Sequence, residues 1–255
     1  MEKINVLWLY PDILNLHGDR GNLMALQRLA KLSGLPLTIM RHDALDQPLL
    51  LGSADLIMLG SGEIKDLPRI IAALRLQQGE LAEFLNRGGY LLATGSSGAV
   101  LGRETRRLDG SVFAGLKLLP FFCRERQRVL GDDIWFTLLD QPEQQILGNQ
   151  IQVLDFELED KAEPWGRLIY GYGNQGDDRE GCRCAFGAGK IITTNTLGPL
   201  LVKNPRLTVG LLAEIAEIKS LRKPRNLALR DIEYEDKSAE LIKRFISQKM
   251  ARKRA

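Results

Sequence analysis

Histidine and cysteine are scarce in this sequence: His17 and His42 are its two histidines, and Cys123, Cys182 and Cys184 its three cysteines. Three cysteines form neither the even disulfide framework of a small secreted domain nor a four-ligand zinc set, and Cys182-x-Cys184 has no partner pair elsewhere. They read as reduced thiols, and neither a metal nor a cofactor is expected. No apolar run approaches the ~20 residues that a membrane helix needs, and the opening residues lack the charged, apolar and small-residue order of a signal peptide. The expectation is a soluble, cytoplasmic protein with no membrane span. An excess of one charge is lacking too: 35 Lys+Arg against 32 Asp+Glu leave +3, too little to imply a nucleic-acid partner.

What is present is ordinary globular material, 44% hydrophobic over 255 residues, near the upper size of one α/β domain. "INVLWLY" (4–10) is a short, nearly continuous apolar run, as expected of a parallel strand covered on both faces. After a loop over 11–22, "LMALQRLAKLSG" carries Leu23, Leu26, Leu29, Ala30 and Leu32 at helical spacing, with Gly34 as its stop. Strands are expected at 35–42, 54–60 and 90–95, with a helical stretch over 66–88 broken near Gly79. This alternation predicts a doubly wound, mostly parallel α/β sheet whose ligands sit at the carboxyl ends of its strands. The loop 11–22 and the turns 60–63 and 95–98 then converge on one edge.

Beyond Gly110 the runs "QRVLGDDIWFTLL", "QIQVLDFEL" and "GRLIYGYGN" predict an antiparallel extension. "GKIITTNTLGPLL" reads as a last core strand with its exit loop, and "PRLTVGLLAEIAEIKSL" as a helix. From 222 onward the chain is charged, contains Pro224 and ends in a basic helical pattern. The expected organisation is a domain over 1–221 and a helical appendage over 222–255, the latter a solvated face or a partner-docking segment.

The turn "TGSSGA" would expose backbone N–H groups of Gly95, Ser96, Ser97 and Gly98 to an anion or oxyanion, or its small residues simply let strand and helix pack closely. It is out of register with the G-x-S-x-G elbow of serine hydrolases, and a base for Ser96 or Ser97 would have to be the loop residue His17. In "LNLHGDRGN", Asp19 could face a ligand or cap the following helix. Arg124, Arg126 and Arg128 alternate along one expected strand face, which suits carboxylate recognition or a solvated edge.

The order and spacing of "LNLHGDRGN", "LGSGE", "LATGSSGAVLG", "GLKLLPFF", "GYGNQGDDREG" and "TLGPLLVKNPRL" resemble the class I, cobyric acid synthase-like glutamine amidotransferases. The similarity is greatest to the glutaminase subunits of lipid II isoglutaminyl synthases and covers essentially the whole chain. It implies a cysteine nucleophile on the elbow after a core strand, a histidine base before "GPLL", and a Mur-ligase-like partner that uses the ammonia to amidate a peptidoglycan precursor. The nucleophile's position is Gly95 here and the base's is Leu197. The family's "FENH" stretch is "FELE" at 156–159, and its oxyanion turn is "GSG" at 60–62.

Without thiolate or imidazole the covalent glutamyl chemistry is lost. The expectation is therefore a pseudoenzyme, paired as a heterodimer with a Mur-ligase-like protein in cell-wall precursor amidation. A glutamine or small-anion pocket remains conceivable through Asp19, Gly21, Asn22, Gly62, Ser96, Ser97 and Arg128. The alternatives are a working amidotransferase subunit with unusual chemistry, and a small-ligand sensor.

Overall fold

The structure, a computed structural model, describes residues 2–254; Met1 and Ala255, the last residue of the expected appendage, lie outside the described residues. The chain opens with β1 (Ile4–Leu9), α1 (Arg20–Ser33), β2 (Leu37–His42), β3 (Leu56–Leu59), α2 (Leu67–Arg75), α3 (Gln78–Asn86), β4 (Tyr90–Thr94) and α4 (Gly98–Leu101). A second block follows with β5 (Glu104–Arg106), β6 (Val112–Ala114), β7 (Phe121–Leu138), β8 (Gln145–Leu158), β9 (Gly166–Tyr170) and β10 (Arg179–Glu180). The chain then returns through β11 (Cys182–Phe186), β12 (Gly189–Thr194), β13 (Thr196–Leu197), α5 (Leu200–Lys203), α6 (Pro205–Ile218) and α7 (Glu233–Arg254).

The principal sheet runs β11-β12-β4-β3-β1-β2, parallel throughout except for the edge strand β11. Its central strands explain their nearly unbroken apolar sequence. Leu7, Leu9, Ile57, Leu59, Leu91 and Ala93 enter one core with α2 and α3, while Ile4, Val6, Leu56, Met58, Tyr90 and Leu92 enter the other with α1 and α6. Successive side chains point to opposite faces, so a strand covered on both is apolar on both; the exception in β1, Asn5, is half-buried and donates its side-chain amide to Ser53 O. Each fully buried Leu or Ile contributes about 1.5–3 kcal/mol by transfer from water.

The mostly parallel doubly wound sheet is as the sequence predicts, with shorter strands: β3 spans Leu56–Leu59 rather than 54–60. The helical break falls at Leu76–Gln77, and Gly79 lies in the first turn of α3. Gln77, between the two helices, accepts the Leu49 amide on its side-chain oxygen at 2.6 Å.

β7 and β8 form a long antiparallel hairpin joined by β9, β10 and the short β13, with β5 parallel to β7 at Thr105 opposite Cys123. A register shift follows Glu125. It overturns the expected single face for the three arginines: Arg124 and Arg126 share Asp155, but Arg128 stands exposed on the bulge. α7 lies back on the body through buried Ile246 and the pairs Arg28–Glu235, Arg206–Asp236 and Lys249–Asp132. Among the described residues no helix is long and apolar enough to cross a membrane.

Candidate functional site

Three carboxyl-end segments of the sheet meet where the alternation predicts. The chain leaves β4 through Gly95, whose φ of +59° turns an extended strand directly into the helical turns of 95–101. A left-handed turn between strand and helix is strained for any residue with a β-carbon, and it is the position a nucleophile elbow would occupy. A β-carbon at Gly95 would overlap Ser61 Oγ and lie 3.4 Å from Leu197 Cδ2. The elbow position and the position before "GPLL" are therefore neighbours, and the space between them is filled by a hydroxymethyl group and an isobutyl group. Neither is a nucleophile with a base.

The turn at 60–62 is equally occupied. Ser61 N donates to Asp19 Oδ2 at 3.0 Å and Gly62 N to Ser96 Oγ at 3.0 Å, so both amides already have acceptors. Ser61 Oγ donates to Thr94 O at 3.1 Å, Ser96 Oγ to Gly62 O at 2.6 Å, and Ser97 Oγ to Gly60 O. Both serines of the elbow are buried, and each hydroxyl is tied to the neighbouring turn. Glycine at 60 and 62 follows from crowding: a β-carbon on either would overlap Leu14 O or Leu14 Cδ2, respectively.

Asp19 links all three segments. Its other oxygen accepts Thr94 Oγ1 at 2.8 Å, and burial raises its carboxyl above the usual range against the lowering effect of these hydrogen bonds. It makes no side-chain cap to α1; Asn15 Oδ1 accepts the Arg20 amide instead. Of the two roles open for Asp19 in the sequence, the helix cap is thus excluded. Gly21 lies against Pro199, whose Cγ a β-carbon would overlap, and Asn22 Oδ1 accepts the Leu201 amide at 2.8 Å.

The other family-like motifs form a clamp on the chain that carries Leu197. Glu180 Oε1 accepts Thr194 Oγ1 at 2.6 Å, the Asn195 amide at 3.0 Å and Thr196 Oγ1 at 3.1 Å. The carboxyl is fully buried and its pKa raised by desolvation, which outweighs those donors. Asn174 closes its own loop through reciprocal bonds with Gly181, and Asn204 joins Leu147 N and O to Leu200 O. The sequence motif "GYGNQGDDREG" did not reveal Glu180 as the centre of this arrangement, because its partners lie 14–16 residues further on.

A cavity of about 320 Å³ stays open beside the elbow, lined in part by His17, Gly62, Lys65, Ser96, Arg107 and Glu125. Arg107 is already paired with Glu125 at 3.1 Å. Arg128 is not among the lining residues, and its carbonyl receives Arg126 Nε. Arg126 pairs with Asp155 at 2.6 Å and lies over the Tyr172 ring. No described hydrogen bond joins His17 to Ser96 or Ser97, and His42 is held by Ala44 O. The cysteines are free; burial raises all three thiols, Cys182 to about 12. Burial and the neighbouring carboxylates hold all three as thiols.

The parallel sheet with its elbow and flanking turns is a glutamine amidotransferase-like α/β fold. A glutamine amidotransferase of known crystal structure superposes with a TM-score of 0.54 at 19% identity, covering 84% of this chain and 99% of that one. Gan42B, a GH42 β-galactosidase, superposes with a TM-score of 0.50 at 13% identity over 87% of this chain, which spans only 31% of that protein.

In sequence the chain is weakly homologous to GatD, a subunit of the glutamine-hydrolyzing lipid II isoglutaminyl synthase. It is 25% identical over 227 residues to GatD of Staphylococcus aureus (strain N315), covering 87% of this chain and 88% of that subunit. With GatD of Streptococcus pneumoniae (strain ATCC BAA-255 / R6) it is 23% identical over 215 residues, covering 82% and 79%. No family model matches the chain.

Proposed function

We propose that this protein is a glutamine amidotransferase-like subunit without glutaminase chemistry. In this reading it stabilises, positions or regulates a Mur-ligase-like partner that amidates a lipid-linked cell-wall precursor in the cytoplasm. The observation that carries the reading is the packing at the elbow: Gly95 faces Ser61 and Leu197, leaving neither a nucleophile nor a base at the position where the resemblance calls for both. The self-satisfied amides of Ser61 and Gly62 support it further, because an oxyanion would have to displace Asp19 and Ser96. A serine nucleophile fares poorly, since both candidate hydroxyls donate to buried carbonyls and neither is joined to His17.

The division at 221/222 belongs to the same proposal: residues 221–228 have no regular structure and join the body to the turn that opens α7. The test is a glutaminase assay on the purified chain, alone and mixed with a copurifying Mur-ligase-like protein. No glutamate above the enzyme-free rate, together with stable copurification, is the expected result; glutamate release overturns the reading.

The open cavity favours a second reading, a sensor for glutamine or a small anion. Thermal unfolding separates the two, since a ligand at ~100 times its dissociation constant adds about 2.7 kcal/mol of apparent stability. A shift with glutamine, glutamate or an inorganic anion supports the sensor. No shift leaves the scaffold.

A further inference from the structure

α7 carries more than one apolar face. Its inward side packs Ile246 into the body and turns Glu235 and Asp236 onto Arg28 and Arg206. On the outward side stand Tyr234 at 82% exposure, Leu241 at 62% and Phe245 at 54%. Spacings of seven and four residues keep these three on one stripe of the helix. Lys237, Arg244 and Arg252 are also exposed on this side, and Lys249 lies over the Phe245 ring.

The helix is divided by charge as well. From Leu241 onward the sequence contains Lys243, Arg244, Lys249, Arg252, Lys253 and Arg254, and no aspartate or glutamate. The carboxylates of its first half are largely spent: Glu235 and Asp236 are paired inward, and Glu233 pairs with Lys237. Glu240 lines the cleft toward α6 with Arg206 and Lys243.

We infer that this outer face of α7 docks on an anionic membrane surface, with Leu241 and Phe245 entering the headgroup boundary and the exposed Arg244 and Arg252 meeting lipid phosphates. Large apolar and aromatic groups interleaved with cations on one helix face are the arrangement an interfacial helix uses. Nucleic acid would need the charge but not the protruding Leu241 and Phe245. A second copy of the chain would bring like-charged halves together if parallel. If antiparallel, one helix face with three large apolar side chains falls short of the roughly 1,000 Å² that a specific interface usually clears. The inference stands on α7 alone and does not depend on whether the elbow is catalytically silent.

The experiment is cosedimentation of the full chain with vesicles of phosphatidylcholine alone or of equal parts phosphatidylcholine and phosphatidylglycerol, at low and high salt. Binding is expected only to the phosphatidylglycerol vesicles, weakening as salt screens the charge. The double variant Leu241→Glu/Phe245→Glu lowers the bound fraction about tenfold or more while thermal unfolding stays unchanged, because both side chains project into solvent. Failure to bind at low salt, or equal binding by the variant, overturns the inference. So does a self-association in sedimentation velocity that the same variant abolishes, which would assign the face to a second copy. A glutaminase result of either sign leaves this outcome untouched.

Discussion

At the exits of β4 and β12 the chain faces the same difficulty, a strand ending among buried backbone groups that must be held, and it meets that difficulty with different atoms. After β12, long polar side chains do the holding: Glu180 collects Thr194, Asn195 and Thr196, and Asn204 ties Leu147 to Leu200. After β4, small groups do it: Ser61, Ser96 and Ser97 each reach one carbonyl of the opposing turn, and Asp19 bridges what remains. The two departures from the amidotransferase pattern face each other between these regions, Gly95 at the exit of β4 and Leu197 after β12, where a reacting atom would need room. A scaffold can thus keep its architecture while the space for chemistry is filled.

The clamp after β12 carries the larger energetic load. Asn204→Ala strands the buried Leu147 and Leu200 backbone groups and is expected to cost about 2–4 kcal/mol in urea unfolding. A cost under half of this would mean that water replaces the amide and the clamp is weaker than its geometry.

The elbow should respond less, and conditionally. Gly95→Cys forces a β-carbon onto Ser61 Oγ at a positive φ and is expected to destabilise by about 1–3 kcal/mol. Ser61→Gly in the same chain should recover part of that loss. Additive effects in the double-mutant cycle would show that the two residues do not compete for one space.

Acidity sharpens the same contrast. Glu180 and Asp19 both have carboxyls raised by burial, so the folded state holds their protons more tightly than the unfolded chain does. Stability from these groups is full below the ordinary carboxylate range and is lost as pH rises through their raised values. Glu180→Gln keeps the acceptor and removes the ionisation. It should flatten that decline in urea titrations across the acid-to-neutral range, and an unchanged slope would show that Glu180 is ionised in the fold. Arg128→Ala, on the exposed bulge, should lie within ±0.5 kcal/mol and should not alter any thermal shift by glutamine.

Much of this molecule is readable in advance because hydrophobic periodicity reports burial directly. The nearly continuous runs at 4–10 and 90–95 become the central strands β1 and β4 with cores on both sides, and the i, i+3, i+4 pattern after residue 22 becomes α1. The break between α2 and α3 is harder to place: it falls at Leu76–Gln77, where Gln77 accepts the Leu49 amide, and not at Gly79. The site is legible only in its outline. Gly95 and Leu197 stand out against the amidotransferase pattern, but the filling of their shared space by Ser61 is a contact between segments 34 residues apart. No spacing rule expresses that. The bulge after Glu125, which separates Arg128 from Arg124 and Arg126, is likewise set by pairing with β8 and not by alternation within β7.

The account turns on the elbow holding no nucleophile, and covalent trapping addresses that most directly. The protein, alone and with its copurifying partner, is incubated with a glutamine-like diazoketone and analysed by intact mass and peptide mapping. The account predicts unmodified protein, with no adduct on the peptide carrying Gly95, Ser96 and Ser97. A stoichiometric adduct on Ser96 or Ser97, or on any cysteine, would contradict it.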